Sequence, residues 1–266
     1  MISKKAMNEL HQAYEILEHP GFRIKAMNVI GKPIEKVVDW APDSIEQKIS
    51  KVCNFSIKKM AEIALFTLKK DGKPTSSNWS DKLHRVSTWA TGAAGGLFGL
   101  PGTLVEIPVT TTIMLRSIFD IAKSEGENIR DVDVKLAVLQ VFALGGESKS
   151  DDLADTAYYT IRTGMALEIN AASQFLKNSG KLVDPGAPQI IKLVQKIATR
   201  FSIPVTEKAV AQAMPFISAG IGIILNDTFI THFQDMAHAH FTVRRLERKY
   251  GVDEIKQAYE SFNEKK

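Results

Sequence analysis

The 266-residue sequence contains a single cysteine, Cys53. That excludes an internal disulfide framework and any zinc site built on several thiolates, and it suits a reducing compartment. The N-terminus lacks the apolar core of a secretory signal, because Glu9, His11, Gln12 and Glu15 interrupt it. A cytoplasmic location is therefore expected. Nucleotide signatures are also missing: Gly95-Gly96 is not followed by Gly-Lys-Ser/Thr at P-loop spacing, and the glycines from Gly92 to Gly99 lack the strand context of a dinucleotide fingerprint. There is no Gly-x-Ser-x-Gly elbow, no His-Glu-x-x-His, and no cysteine or aromatic array suited to haem attachment or nucleic-acid stacking. The reading has no cofactor, no metal and no nucleic-acid partner.

Charge is missing from two long stretches. Residues 86–105 form a run of twenty without a charged side chain, bounded by Arg85 and Glu106. Five glycines (Gly92, Gly95, Gly96, Gly99, Gly102) and Pro101 make it too broken for a smooth helix in water, and its apolar character argues against an exposed loop. Residues 209–226 are a second run of eighteen, with Pro215, Gly220 and Gly222. Both sit at the length threshold of a membrane span, but their prolines, glycines and scattered polar residues favour a buried or re-entrant helix.

What is present is an ordinary globular balance, 44% hydrophobic and 24% charged, with no sign of disorder over most of the length. Of the 34 basic residues 15 precede position 86, against 10 of the 30 acidic ones. The basic excess lies in the N-terminal third, which suits a solvated surface or an anionic membrane better than specific DNA binding. The expected division is a basic helical region over 1–78 and a helical core over 79–266, with one continuous domain as the alternative.

Residues 4–18 carry Met7, Leu10, Tyr14 and Leu17 on one helical face, ended by His19-Pro20-Gly21. Residues 22–40 repeat the pattern with a break at Gly31-Lys32-Pro33. Asp43 and Glu46 resemble a capping box for the longest clean amphipathic helix, which runs towards Lys70 and places Cys53 on its apolar stripe. Residues 71–78 read as a linker, and Ser80 can cap the helix that enters the first uncharged run. There, glycines four apart allow close backbone packing, a turn is expected at residues 98–102, and a second helix over 103–123 completes a hairpin. Asp131 caps a helix over 132–144 that stops at Gly145-Gly146. Helices are further expected over 151–177, 189–201 and 227–250, the last ending at Gly251.

On the helix over 103–123, Thr103, Glu106, Thr110, Ser117 and Asp120 share a narrow stripe, with Arg116 beside it. Arg116 and Asp120, four apart, can pair with each other. That leaves Glu106 needing a distant partner, since an unpaired buried carboxylate is costly. On the last helix His240 shares the apolar face of Phe229, Phe233, Met236 and Val243, His238 belongs to a polar stripe, and His232 lies between them. His238 and His240 stand about 160 degrees apart and cannot share an ion. The candidate catalytic residues are Glu106, Arg116, Asp120 and His240. The candidate ligand-binding residues are Gly95, Gly96, Gly99, Pro101, Gly102, Thr110 and Asn226.

The runs ATGAAGGLFGLPG, IPVTTTIMLRSIFDIAKSEGENI, FALGG and HFTVRRLERKYG, in that order, are similar to the EcsC family. The similarity is close from Trp89 to Gly146 and looser from Gly220 to Gly251. Bacterial and named from its neighbourhood to an ABC-transporter operon, this family implies an α-helical fold and supplies no catalytic residue list. Onto this chain the resemblance carries the Gly99-Leu100-Pro101-Gly102 element, the element over residues 110–116 and the one over residues 240–247, which contains His240 and not His238.

The expected fold is an all-α, multi-helix globular bundle with a central Gly-rich, uncharged helical hairpin. The expected function is peripheral association with the inner face of a membrane, or binding of a lipid-like hydrophobic molecule. One rival is a hydrolase-like enzyme with a pocket built on Glu106, Arg116, Asp120 and His240, with Glu106 or His240 as general base. Another is a structural module that binds a protein partner the sequence does not name.

Overall fold

The computed structural model describes residues 2–19, 26, 43–66, 95–145, 157–179, 186–212 and 219–263. These residues form eight helices and no strand: α1 (Lys4–Glu18), α2 (Asp43–Phe66), α3 (Gly95–Ser124), α4 (Val132–Leu144), α5 (Ala157–Asn178), α6 (Pro188–Gln212), α7 (Ala219–Tyr250) and α8 (Val252–Glu260). The all-α bundle is as expected. The helix read over 22–40, apart from Ala26, which is helical and fully buried, the linker over 71–78, the Ser80 cap, the hairpin arm before Gly95 and the side chain of Asp43 lie outside the described residues.

Burial follows the apolar spacing. In α1 the buried residues are Ala6, Leu10, Ala13, Tyr14 and Leu17, three and four apart, and Ser3 caps the helix by accepting from the Ala6 amide. Helix α4 is buried on all sides from residue 134 to residue 144, as a helix apolar around its whole circumference must be. Around it α2, α5 and α7 pack against α6, and α3 packs against α7 along its length. Phe142, Phe201, Phe229 and Phe233 from α4, α6 and α7 meet edge-on or stacked at the centre. Cys53 is fully buried on α2, and burial pushes its thiol up to about 12, so it packs as a small hydrophobe.

Three expectations are corrected. No turn interrupts residues 98–102: α3 runs unbroken from Gly95 through Gly99, Pro101, Gly102 and Pro108 to Ser124. A proline inside a helix removes one hydrogen bond, whereas an open turn in so apolar a segment would leave several backbone groups unpaired. The helix expected over 189–201 continues through Pro204 to Gln212 for the same reason. The second uncharged run is not a helix of its own. Its first four residues close α6, and its residues 219–226 open α7.

Gly145 ends α4 as expected, but at φ −77° it is not a left-handed cap. A Cβ there would meet the Phe233 ring at 2.5 and 2.7 Å, so close packing is what requires glycine. Gly251, at φ +100°, does need glycine's conformational freedom. It turns the chain into α8, a helix absent from the sequence reading, whose Ile255 and Tyr259 are buried against α1 and α7.

Candidate functional site

Two polar clusters are buried in the bundle. The first joins three helices. Glu106 on α3 receives 2.7 and 3.1 Å hydrogen bonds at Oε1 from Lys208 Nζ on α6 and from Thr110 Oγ1 one turn later. Lys208 also donates to Asn226 Oδ1 on α7 at 2.7 Å, and its ammonium lies 4.8 Å from the Phe229 ring centroid. Both charged side chains are almost wholly removed from water, 1% exposed for Lys208 and 2% for Glu106. Burial lowers the Lys208 pKa, and the Glu106 carboxylate opposes that shift. Glu106 Oε2 is buried and meets no hydrogen-bond partner among the described residues.

The distant partner that Glu106 required is thus Lys208. Sequence reasoning missed it, although a signal existed: Glu106 closes the first uncharged run, and Lys208 immediately precedes the second. Two borders of opposite sign, each facing apolar sequence, have each other as the nearest means of neutralisation. Of the residues read as ligand-binding, Thr110 and Asn226 join this cluster. Gly102 is buried one turn before Glu106, and Gly95, Gly96, Gly99 and Pro101 lie in the preceding turns of α3.

The second cluster surrounds His240. Its Nδ1 lies 3.0 Å from the Tyr158 hydroxyl, which itself accepts from Arg162 Nη1 at 3.2 Å. The Tyr158 proton is therefore free to point at Nδ1, which assigns the imidazole hydrogen to Nε2. Burial, with Arg244 and Arg162 nearby, holds His240 well below its usual pKa and keeps it neutral. Arg162 forms a two-pronged pair with Glu247 at 2.7 and 3.1 Å, and Tyr159 donates to the same carboxylate. His240 therefore points into the core, as its helical face implied. His232 is also buried, bonded to the Gly145 carbonyl, while His238 is exposed near Glu125.

These clusters do not form one site. Asn226 and His240 are fourteen positions apart on α7, about 21 Å along the axis. Arg116 and Asp120 are exposed, and no ion pair joins them among the described residues. The four catalytic candidates accordingly divide into one buried pair member, one core histidine and two surface residues. No group of three metal-ligating side chains occurs among the described residues.

The placement of the first cluster distinguishes one end of the bundle. Ser117 accepts from Gln234, Glu127 from Arg244, Glu125 from Arg245 and Glu127 from Arg248, at separations of 117 to 121 residues. So constant an offset means that α3 and α7 run parallel, and Glu106 lies level with Asn226. The two uncharged runs therefore supply neighbouring helix starts at the same end. There Val105 is 74%, Ile223 57% and Ile224 52% exposed. No helix among the described residues is long and apolar enough to cross a membrane.

No curated protein and no solved structure matches this chain. The model of the EcsC protein family matches residues 4–246, reaching well before the motifs around Trp89 and including α1 and α2. With nearly the whole length matched, the chain belongs to the EcsC protein family.

Proposed function

We propose that the protein binds a lipid-like apolar surface, in a bilayer or as a single acyl-chain molecule, with the end of the bundle where α3 and α7 begin. The observation that carries this reading is the parallel placement of two uncharged helix starts, with Val105, Ile223 and Ile224 exposed at their common end. Exposed aliphatic side chains gathered at one end of a bundle mark an interaction surface, and each gains about 1.5–3 kcal/mol when fully covered. The 18- and 20-residue uncharged runs add the absence of any charge that would resist contact with hydrocarbon. In this reading the attachment is peripheral, and no helix among the described residues is long and apolar enough to cross a membrane.

Two measurements test this. Protein purified without detergent is analysed by native mass spectrometry for bound acyl-chain molecules, and sedimented with vesicles of neutral or anionic phospholipid. Ile223→Asp combined with Ile224→Asp is expected to reduce binding at least tenfold. Leu167→Asp, at a 77% exposed leucine on α5, should leave it unchanged. Protein that carries no lipid and remains in the supernatant with every vesicle overturns the reading. Anionic vesicles binding better than neutral ones would add a role for the basic N-terminal third.

A further inference from the structure

Resting on that reading in its bilayer form, we infer that the membrane is anionic and that the outer face of α2 supplies a second contact, with its lysines on the head groups and Phe55 pressed into the interface. Residues 48–59 hold four lysines and no acidic residue. At 100° per residue Lys48, Lys51, Phe55, Lys58 and Lys59 fall within about 100° of arc, and they span about 17 Å of helix. All five are exposed, Phe55 by 54%, while Ile49, Cys53, Ile57 and Met60 turn into the core on the other side. The bundle thus fixes the inner face of α2 and holds an apolar ring outward among positive charges. Lys59 pairs with Glu62 at 2.8 Å, but Lys48, Lys51 and Lys58 enter no ion pair among the described residues. Three of the four charges are unmatched there.

The chemistry of the stripe selects the partner. Diffuse negative charge beside an apolar interior suits ammonium groups on flexible stems, which reach the head groups while their methylenes and Phe55 lie against the acyl boundary. Helix α2 contains no arginine, the residue whose planar fork reads a carboxylate, a phosphate or a base edge in a fixed geometry. Between Lys48 and Lys59, Phe55 is the one aromatic ring, whereas single-stranded nucleic acid is held by several rings stacked on successive bases. A phospholipid surface needs neither. The stripe belongs to α2, and the exposed aliphatic residues of the apolar end belong to α3 and α7, so charge and apolar contact can be removed separately.

Sedimentation of the full chain with vesicles of phosphatidylcholine, with and without phosphatidylserine, gives the ratio of anionic to neutral binding. The wild type is expected to favour the anionic vesicles by about tenfold or more, since each lysine near such a surface contributes about fivefold. Lys48→Gln, Lys51→Gln and Lys58→Gln together should remove most of that preference. Three exposed lysines elsewhere, changed as Lys123→Gln, Lys192→Gln and Lys249→Gln, take away the same net charge and should leave the ratio within about twofold. Phe55→Gln should weaken anionic binding about fivefold, the effect of covering the exposed half of its ring. Every substituted side chain is exposed, so the melting temperatures should match that of the wild type. Ile223→Ser with Ile224→Ser should weaken binding to both vesicles alike and keep the ratio. Equal wild-type binding to the two vesicles overturns this inference and leaves the apolar end standing. A ratio that survives the α2 triple variant, or falls equally in the control triple, overturns the assignment to α2. A preserved ratio with undiminished binding in the isoleucine variant overturns the apolar end and keeps the α2 contact. A chain that ignores both vesicles but binds a single-stranded oligonucleotide through the same three lysines overturns the lipid assignment in favour of nucleic acid.

Discussion

Helices α3 and α7 run side by side for most of their lengths, yet their two ends treat charge in opposite ways. At the starts, one ion pair is sealed from water by uncharged sequence: Glu106 and Lys208. At the far ends, Glu125 and Glu127 on the chain leaving α3 meet Arg244, Arg245 and Arg248 on α7, with Glu9 of α1 joining Arg245. Those arginines are between 23% and 41% exposed. The sealed pair must be matched charge for charge, because water cannot help it; in the other network solvent reaches the arginines, and Glu127, itself only 4% exposed, is shared by Arg244 and Arg248. One end is thus specified by burial and free to present an apolar surface, while the other keeps the bundle's polar face in water.

The contrast predicts a descending series of costs from the level of the α7 start to that of its far end. The largest belongs to Lys208→Met, which strands Glu106 in the interior and should lower unfolding free energy by about 3–5 kcal/mol in urea titration. The double variant with Glu106→Met should return to within about 1 kcal/mol of the wild type or exceed it. A single variant as mild as a surface substitution would show that water reaches the pair, and the difference between the ends would collapse.

Two turns further along, at the level of His232, Gly145→Ala should cost about 1–3 kcal/mol, because its methyl group needs the space held by the Phe233 ring. His232 Nε2, 2.7 Å from the Gly145 carbonyl, would be displaced with it. The amide of residue 145 and the ring resonances of Phe233 are the groups whose NMR shifts should move.

At the level of His240 the penalty becomes dependent on pH. Its folded pKa lies well below that of the unfolded chain, so below about pH 6.5 the unfolded state binds a proton that the folded state refuses. The groups facing it are Tyr158 and Arg162 from α5 and Arg244 from its own helix, and none offers a carboxylate to the imidazolium. Stability from this residue is present above pH 6.5 and is lost as pH falls, by about 1.4 kcal/mol at pH 5.5. His240→Gln should flatten the stability profile over that interval by the same amount. An unchanged slope would assign the acid sensitivity to other groups.

How much of this was legible in the sequence depends on the range of the interaction. The bounds of α1 and α4, the burial of Cys53 and the inward direction of His240 are properties of one helix and its period, and all could be read locally. The need of Glu106 for a partner was legible too, because its cost comes from the apolar residues around it in the chain. The identity of that partner was not, since Lys208 lies 102 positions away, beyond the end of the helix expected over 189–201. Pro101 misled in the other direction. Local chemistry marks it with its neighbouring glycines as a turn, while the tertiary context makes it a tolerated interruption of hydrogen bonding within a longer helix. The pairing of the two uncharged runs at one end depended on the parallel course of α3 and α7, which no local pattern encodes.

At the open end the expected effect is the smallest. Arg245 donates to Glu125 at 2.7 Å and to Glu9 at 3.2 Å, so its contact list is as rich as that of Lys208. Its side chain is 37% exposed, however, and an exposed pair contributes about 0–1 kcal/mol once side-chain ordering is counted. Arg245→Ala should therefore lower stability by less than about 1 kcal/mol, and that loss should disappear near 1 M salt, where the screening length is about 3 Å. The penalty of Lys208→Met should hold at the same salt concentration, because ions do not enter the buried site. Salt sensitivity at both positions would mean that the two ends differ only in degree, whereas sensitivity at Arg245 alone traces the contrast to the exclusion of water around Glu106.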